Sequence, residues 1–189
     1  ANGRPHILNY ALVSPERGDP GLCGGEVEVY LEPYLPPATV YIFGCGHVGQ
    51  ALAAQARLAG FRVVVSDDRP ELATPEHIPH ADKYLPGPPA EALAAEPIHA
   101  NTFVALVTRK VKLDQEILLH ILDTPARYIG VMGSRRRWTH TSKLLRETGL
   151  ADADFAHVRS PLGLDIHADT PAEIAVSIMA EIIKAKGEG

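Results

Sequence analysis

The glycine-rich segment at residues 44–49, Gly-Cys-Gly-His-Val-Gly, constrains the fold of this chain more than any other feature. It directly follows an apolar run at 39–43 and precedes a helix-forming stretch at 48–59. A second apolar run at 62–66 then ends at the acidic residue Asp67. Strand, glycine loop, helix, strand and acid in this order form the dinucleotide-binding fingerprint in its full context. The segment therefore predicts a nucleotide-binding βαβ unit.

Each glycine of this loop has an expected role. Gly44 allows the turn out of the strand, Gly46 lets a pyrophosphate approach the backbone, and Gly49 lets the helix pack closely. The helix N-terminus offers N–H groups and a partial positive charge to phosphates. The alternative is a tight turn that packs a helix on a strand and binds nothing. We expect cofactor contacts from the whole loop: Gly44, Cys45, Gly46, His47, Val48 and Gly49.

The acidic turn after the second strand, Asp67-Asp68-Arg69, is the next candidate. The Asp67 carboxylate suits a ribose diol and disfavours a 2′-phosphate, whereas Arg69 could accommodate that phosphate. For Asp68, an ordinary solvated turn is as good an interpretation as any role in binding. The sequence leaves the choice between these ligands open.

A second anion site is predicted at Gly133-Ser134-Arg135, where a strand ends and a basic helix begins. Ser134 and the free N–H groups of the helix would form a cradle, and at least one arginine could close on a phosphate. Successive helical residues point about 100° apart, so three consecutive arginines cannot all face one ligand. A solvated basic face is an equally good interpretation of Arg136 and Arg137.

Strands and helices alternate from residue 39 onward, which favours an α/β fold. We expect a Rossmann-like, doubly wound and mainly parallel sheet with helices on both faces. A short N-terminal β segment precedes it, with strands at 6–13 and 26–32. The predicted domains are residues 1–36, interpreted as a remnant of an upstream domain, and residues 37–189.

Composition and motif content argue against several classes of function. The net charge of −5 argues against nucleic acid or an anionic membrane as a partner. No apolar run is long enough to cross a bilayer, and no export signal is recognised, so we expect a cytoplasmic protein. The histidines lack metal-ligand spacing, and we expect no metal site. Neither a nucleophile motif nor an acid–base pair stands out, which favours a binding protein over an enzyme.

The two cysteines do not form a disulfide framework. Cys45 lies inside the glycine loop, where it is expected to fill space. Cys23 precedes Gly24-Gly25 in a turn-rich loop, where a thiol can react if nearby charges lower its pKa.

Four segments together resemble the XdhC/CoxI family of xanthine dehydrogenase accessory proteins. The order and spacing match from about residue 20 to the end of the chain, and the last two segments are the most specific. The segments are LCGG at 22–25, YIFGCGHVGQAL at 41–52 running on to Asp67-Asp68-Arg69, YIGVMGSRR at 128–136, and SPLGLDI at 160–166 with TPAEIAVSI at 170–178.

The resemblance implies a chaperone that binds the molybdenum cofactor in its molybdopterin form, shields it during sulfuration and passes it to a molybdenum hydroxylase. The hydroxylase client and a cysteine desulfurase are the implied partners, and Cys23 is the residue expected near the metal end. Two departures from the resemblance are expected to matter. The further N-terminal domain that the family usually carries is not recognised in this sequence. In addition, Arg109 follows Thr108 where the family often has histidine, and His167 replaces the usual glycine.

Two other functions use the same glycine loop. One is an NAD(P)-dependent oxidoreductase, which would need an acid–base residue near the nicotinamide; His47 and His167 are the candidates. The other is a domain that senses a nucleotide and reports to a partner. The alternating strand at 26–32 and the apolar stripe of the last helix also suggest a homodimer or a client interface.

Overall fold

The computed structural model of the chain describes residues 5–11, 25–34 and 36–188, with backbone alone at Ala11. It separates the chain into two compact units, Ala1–Pro36 and Pro37–Gly189. In the first unit, β1 (His6–Ala11) pairs antiparallel with β2 (Glu26–Leu31). Both predicted N-terminal strands are therefore present, although residues 12 and 13 of the first lie outside the described residues.

The second unit holds a five-stranded parallel sheet in the order β5-β4-β3-β6-β7. This is the doubly wound order that the alternating sequence pattern predicts, so the expected fold class is confirmed. The strands are β3 (Thr39–Phe43), β4 (Arg62–Asp67), β5 (Lys83–Pro86), β6 (Thr102–Leu106) and β7 (Tyr128–Val131). The helices are α1 (His47–Leu58), α2 (Pro89–Ala95), α3 (Val111–Ile121), α4 (Arg135–Glu147) and α5 (Pro171–Gly187).

The sheet separates two apolar cores, because successive strand residues point to opposite faces. Val40 and Ile42 of β3 face a core shared with α1 and α5. Tyr41 and Phe43 face the other core, which contains residues of α2, α3 and α4. All five residues of β3 are buried, as expected for a strand covered on both faces.

The chain order reverses beside β3, whose neighbours are β4 on one side and β6 on the other. In such sheets ligands bind at the carboxyl ends of the strands, at this switch point. The backbone continues the pairing there: Gly44 N–H donates to Ser66 O at 2.8 Å, and Val107 N–H donates to Phe43 O at 2.9 Å. The glycine loop thus lies between the segments that follow β4 and β6.

A short segment after α4 extends the sheet beyond β7. Gly130 forms a parallel bridge with Arg159, whose N–H donates to Ile129 O at 2.9 Å. Further along, Leu162 N–H donates to Val131 O at 3.1 Å. The segment 159–162 therefore covers the outer edge of β7.

The last helix begins as the sequence predicts. The Thr170 hydroxyl accepts a hydrogen bond from Glu173 N–H, and the Glu173 carboxylate accepts one from Thr170 N–H. This reciprocal capping box satisfies two donors that the first helical turn leaves unpaired. Among the described residues, no helix has the length and apolar character needed to cross a membrane.

Candidate functional site

Two glycines of the loop are required by the fold itself. Gly44 has a φ of +114°, and a Cβ there would lie 2.7 Å from Val107 O. A Cβ on Gly49 would lie 1.9 Å from Gly44 O, because α1 passes directly over the turn. Both distances are below any real carbon contact, so side chains at these positions would displace backbone.

Gly46 differs from these two glycines, because a Cβ built on it meets no atom within 4 Å. Its φ of −74° and ψ of −171° are also open to any residue. Gly46 is the N-cap of α1, and no described side chain caps this end of the helix. Packing therefore does not require glycine at this position, and the backbone at the start of α1 is left accessible.

A set of hydrogen bonds fixes the loop from the side. Cys45 N–H donates to Asp67 Oδ2 at 2.7 Å, and His77 Nε2 lies 2.7 Å from Cys45 O. Because a carbonyl only accepts, this His77 nitrogen carries the proton. Gln50 Nε2 donates to His77 O at 2.8 Å and holds the histidine in place. His77 thus supports the loop, a role that its sequence context did not indicate.

The thiol of Cys45 is fully buried beneath the loop. Burial, aided by the nearby Asp67 carboxylate, raises the pKa of Cys45 to about 12. The thiol is therefore protonated at neutral pH and acts as a small apolar group. This agrees with its expected space-filling role.

The Asp67 carboxylate is almost completely buried and accepts four hydrogen bonds. Besides Cys45 N–H, the donors are Arg69 N–H at 2.9 Å, Nε at 2.8 Å and Nη2 at 2.9 Å. Burial alone would raise the pKa of this carboxyl, but the bonds from Arg69 and Cys45 outweigh it and lower the pKa. The contact between Asp67 and a ribose diol stays a prediction, and it would require one of these donors to leave.

Asp68 and Arg109 line the same cleft, from the segments that follow β4 and β6. Lys110 Nζ donates to Asp68 Oδ2 at 2.8 Å, while Arg109 Nη2 is 3.6 Å from that oxygen. The cleft lies over Gly44 and is also lined by Pro89, Leu113 and Ile117. The lining thus combines apolar side chains with two acid–arginine pairs, Asp67 with Arg69 and Asp68 with Arg109.

The predicted second cradle lies at the carboxyl end of β7. Ser134 is the N-cap of α4, and its hydroxyl accepts a hydrogen bond from Arg137 N–H at 3.3 Å. Arg135 and Arg136 are exposed. Because β6 separates β7 from β3, and strands lie about 4.8 Å apart, this cradle is roughly 10 Å from the glycine loop. The cradle and the loop lie at the same sheet edge.

A buried cluster between these two loops was missed by the sequence analysis. The Asp114 side chain is fully buried and accepts hydrogen bonds from Thr108 Oγ1 and from Arg137 Nε and Nη2. Arg137 Nη2 also lies 3.1 Å from Thr108 O. Burial raises the pKa of Asp114 although Thr108 and Arg137 oppose the shift. Arg137 therefore joins the segments after β6 and β7.

A solvated basic face was an expected interpretation of Arg137, and the structure corrects it. Its side chain is 20% exposed because it packs over Gly133 and turns inward to Asp114. A signal for Asp114 was present in the sequence. It lies at helical spacing from Ile117, Leu118 and Ile121, which form the buried stripe of α3. A charge in such a stripe requires a partner.

Cys23 lies outside the described residues, so its predicted place near a metal stays a prediction. Within residues 5–11, 25–34 and 36–188, no three histidine, cysteine or acidic side chains are grouped in a way that could hold a metal ion.

Comparison with known proteins identifies the family. The model of the XdhC Rossmann domain matches residues 40–182, which include the glycine loop, the acidic turn at 67–69 and the second predicted anion site at 133–135. The chain belongs to the XdhC family. The resemblance that the four sequence segments indicate is therefore confirmed.

Three relatives of this XdhC family member are informative. The uncharacterized protein YqeB of Escherichia coli is 34% identical over 170 residues, covering 87% of this chain and 30% of YqeB. A probable xanthine dehydrogenase subunit from Bacillus subtilis is 32% identical over 158 residues, covering 84% of this chain and 46% of that protein. The crystal structure of a xanthine dehydrogenase from Bacillus halodurans aligns over 98% of this chain and 61% of its own, with a TM-score of 0.71 and 28% identity.

The chain thus spans less than half the length of the two curated relatives. What the longer proteins do, and which partners they meet, extends to this chain only as a proposal.

Proposed function

We propose that this chain binds the molybdenum cofactor and assists its sulfuration and insertion into a molybdenum hydroxylase of the xanthine dehydrogenase or carbon monoxide dehydrogenase kind. Membership of the XdhC family supports this, as do the relatives whose names refer to xanthine dehydrogenase. A hydroxylase client and a cysteine desulfurase are the partners that this function needs. The redox chemistry of the cofactor belongs to the client.

The single observation that carries the proposal is the open space over Gly46. Apart from the adjacent residues, no atom lies within 4 Å of a Cβ built at this position, and the first N–H groups of α1 have no partner within the helix. Molybdopterin carries a phosphate, or a pyrophosphate in its dinucleotide forms. A helix N-terminus with unpaired N–H groups and a glycine in front of it is suited to such a group.

The cradle at Gly133, Ser134 and Arg135 supplies the second part of the proposed site. It lies at the same edge of the sheet, roughly 10 Å away by strand spacing. The exposed Arg135 guanidinium can form paired hydrogen bonds with a phosphate or a polar ring edge. The chain's own residues would thus bind and orient the cofactor and shield it from water, while Asp67 and His77 hold the loop rigid.

The test is a titration of isolated molybdenum cofactor against the wild type, Gly46→Ala and Gly187→Ala. A Cβ meets nothing within 4 Å at either glycine, so both variants should fold. Gly187 ends α5 and makes the matched control. We expect Gly46→Ala to lose at least about tenfold in affinity and Gly187→Ala to bind like the wild type. Equal binding by all three proteins would remove the glycine loop from the site.

The rival function is an NAD(P)-dependent oxidoreductase that uses the same loop. Titrations of NAD and NADP, run in parallel with the molybdenum cofactor, separate the oxidoreductase from the maturation factor. Only the maturation factor is required to bind the pterin. Tight nicotinamide binding without pterin affinity would favour the oxidoreductase. Binding of an adenine nucleotide alone would favour a nucleotide-sensing domain.

A further inference from the structure

Arg137 contacts two separate loops at the carboxyl edge of the sheet. Its Nη2 donates to Thr108 O at 3.1 Å, in the segment that follows β6. The stem of the same side chain packs over Gly133 at the start of the predicted cradle, where a Cβ would lie 2.4 Å from Arg137 Cδ. One side chain thus touches both the segment after β6 and the segment after β7.

The segment after β6 in turn packs against the glycine loop. A Cβ on Gly44 would lie 2.7 Å from Val107 O and 3.1 Å from Thr108 N, so the two backbones are in close contact. The order of contacts is therefore glycine loop, Thr108, Arg137 and Gly133. These contacts join the two loops that the proposed function needs.

The Arg137 guanidinium is held in one direction. Its Nε and Nη2 donate to Asp114 Oδ2 at 3.0 and 2.6 Å, and Nη2 also lies 3.2 Å from Thr108 Oγ1. Thr108 Oγ1 donates in turn to Asp114 Oδ1. A planar guanidinium that contacts a carboxylate and a carbonyl together has a fixed orientation, which an apolar side chain would lack.

Stability alone does not explain a buried ion pair at this position. Asp114 is fully buried in the stripe of α3 that also holds Ile117 and Leu118. Two apolar side chains of similar size could fill such a place, and replacing a buried ion pair in this way is often neutral or stabilising. Apolar side chains cannot supply the directional contact with the Thr108 carbonyl. The ion pair is therefore better explained by the geometry that it imposes on the loops.

We propose that Arg137 is a positioning residue, which fixes the distance and orientation between the glycine loop and the cradle at 133–135 so that one extended phosphate-bearing ligand contacts both. The inference rests on the proposed function of these two loops as parts of one binding site. Arg137 itself does not touch the ligand, because its guanidinium is directed to Asp114 and Thr108. Its effect on binding passes through the backbone of both loops.

The experiment replaces the ion pair by apolar side chains of similar size, Asp114→Leu with Arg137→Met. This double variant should unfold cooperatively in urea, as the wild type does, but should bind isolated molybdenum cofactor at least about tenfold more weakly. Arg146→Met with Asp152→Leu is the matched control. It makes the same two substitutions in an ion pair of 2.7 Å formed by the last turn of α4, and it should bind like the wild type.

A second readout separates positioning from a structural role. In the wild type, Gly46→Ala and Arg135→Ala should each lower cofactor affinity at least about tenfold, since each removes part of the site. In the double variant, Arg135→Ala should cost nothing further, because the cradle no longer meets the ligand, whereas Gly46→Ala should still weaken binding. If both losses keep their wild-type size in the double variant, the two loops are positioned independently of Arg137 and the inference is overturned.

If the double variant fails to fold, Arg137→Lys takes its place. Lysine keeps the charge beside Asp114 but lacks the planar fork, so this variant should also reduce the loss caused by Arg135→Ala.

NAD is titrated against the same samples, because its pyrophosphate suits the glycine loop as well. Cofactor binding that the double variant leaves unchanged would overturn this inference alone. NAD binding without cofactor affinity, weakened at least about tenfold in the double variant, would overturn the proposed function alone. A wild type that binds neither ligand would overturn both.

Discussion

The Asp67 carboxylate accepts the backbone N–H of Cys45 at 2.7 Å, and this contact ties the end of β4 to the glycine loop that follows β3. The same carboxylate holds Arg69 through both its backbone and its guanidinium. One buried acid therefore fixes the loop and positions the cation at the rim of the cleft. The contacts that stabilise this acid in the fold also shape the candidate site.

Asp67→Asn should destabilise the protein by about 1–3 kcal/mol, because the new amide places donors against the Arg69 donors in a buried position. The loss of unfolding free energy stays modest because about a third of the Arg69 side chain is exposed, and solvent screens its interaction with Asp67. Urea unfolding at pH 7 measures it. Asp68→Asn is the matched control and should cost less than about 1 kcal/mol, since Asp68 pairs with exposed cations. Equal costs for both variants would contradict the structural role of Asp67.

The contribution of Asp67 should depend on pH in a defined direction. Its pKa is lowered in the folded protein, so its stabilisation is present above the ordinary aspartate pKa of about 4 and is lost as the pH falls through the folded value. The difference in unfolding free energy between the wild type and Asp67→Asn should therefore shrink as the pH is lowered from about 5 toward about 3. A difference that grows in acid would mean that the carboxyl is neutral in the folded state.

The buried ion pair of Asp114 and Arg137 gives a third prediction. Asp114→Ala should cost about 2–4 kcal/mol, because it leaves the largely buried guanidinium without its partner. The double variant Asp114→Leu with Arg137→Met should recover more than half of that loss, since the uncompensated charge is removed as well. Asp123→Ala, at an exposed position, should change stability by less than about 0.5 kcal/mol. A double variant less stable than Asp114→Ala would contradict this account.

We expect removal of the Tyr41 hydroxyl to stabilise the protein. Within the described part of the chain it is buried and has no hydrogen-bond partner, and burial raises the pKa of the phenol. Tyr41→Phe should stabilise the protein by about 1 kcal/mol, because it removes a desolvated polar group. Tyr128→Phe is the matched control with the opposite sign, since Tyr128 Oη donates to Glu181 Oε2 at 2.7 Å. Thermal unfolding of the two variants side by side measures the contrast.

We expect a second gain in stability from replacing His167. Its φ is +58°, in the left-handed region that disfavours residues with a Cβ. His167→Gly should stabilise the protein by about 0.5–1 kcal/mol, after the greater flexibility of glycine in the unfolded chain is subtracted. His157→Gly, the same change at an exposed position without positive φ, should destabilise it. A loss of stability in both variants would show that the His167 side chain makes a compensating contact.

The fold was predictable because its signals are local and periodic. Apolar runs mark the strands, glycine marks the turn after β3, and the Thr170–Glu173 pair marks the start of α5. Two features of the glycine loop were likewise visible, the turn at Gly44 and the close packing of the helix at Gly49, because both follow from the spacing of the glycines.

The supporting contacts of the site were not predictable in the same way. Cys45 meets Asp67 and His77 across 22 and 32 residues, and no periodicity links these positions. His77 lies in an irregular loop, where the direction of a side chain depends on tertiary packing. The inward direction of Arg137 was not predictable for the same reason. Helix geometry indicates that three consecutive arginines point in different directions, but the buried Asp114 determines which one turns inward.

The segment 159–162 along β7 also has a consequence for assembly. An open sheet edge is a template for adding strands from another molecule, and this segment occupies that template on one side. On the opposite side, β5 is only four residues long and ends in Pro86, which has no N–H to donate. The five-stranded sheet is thus poorly suited to joining a second copy edge to edge.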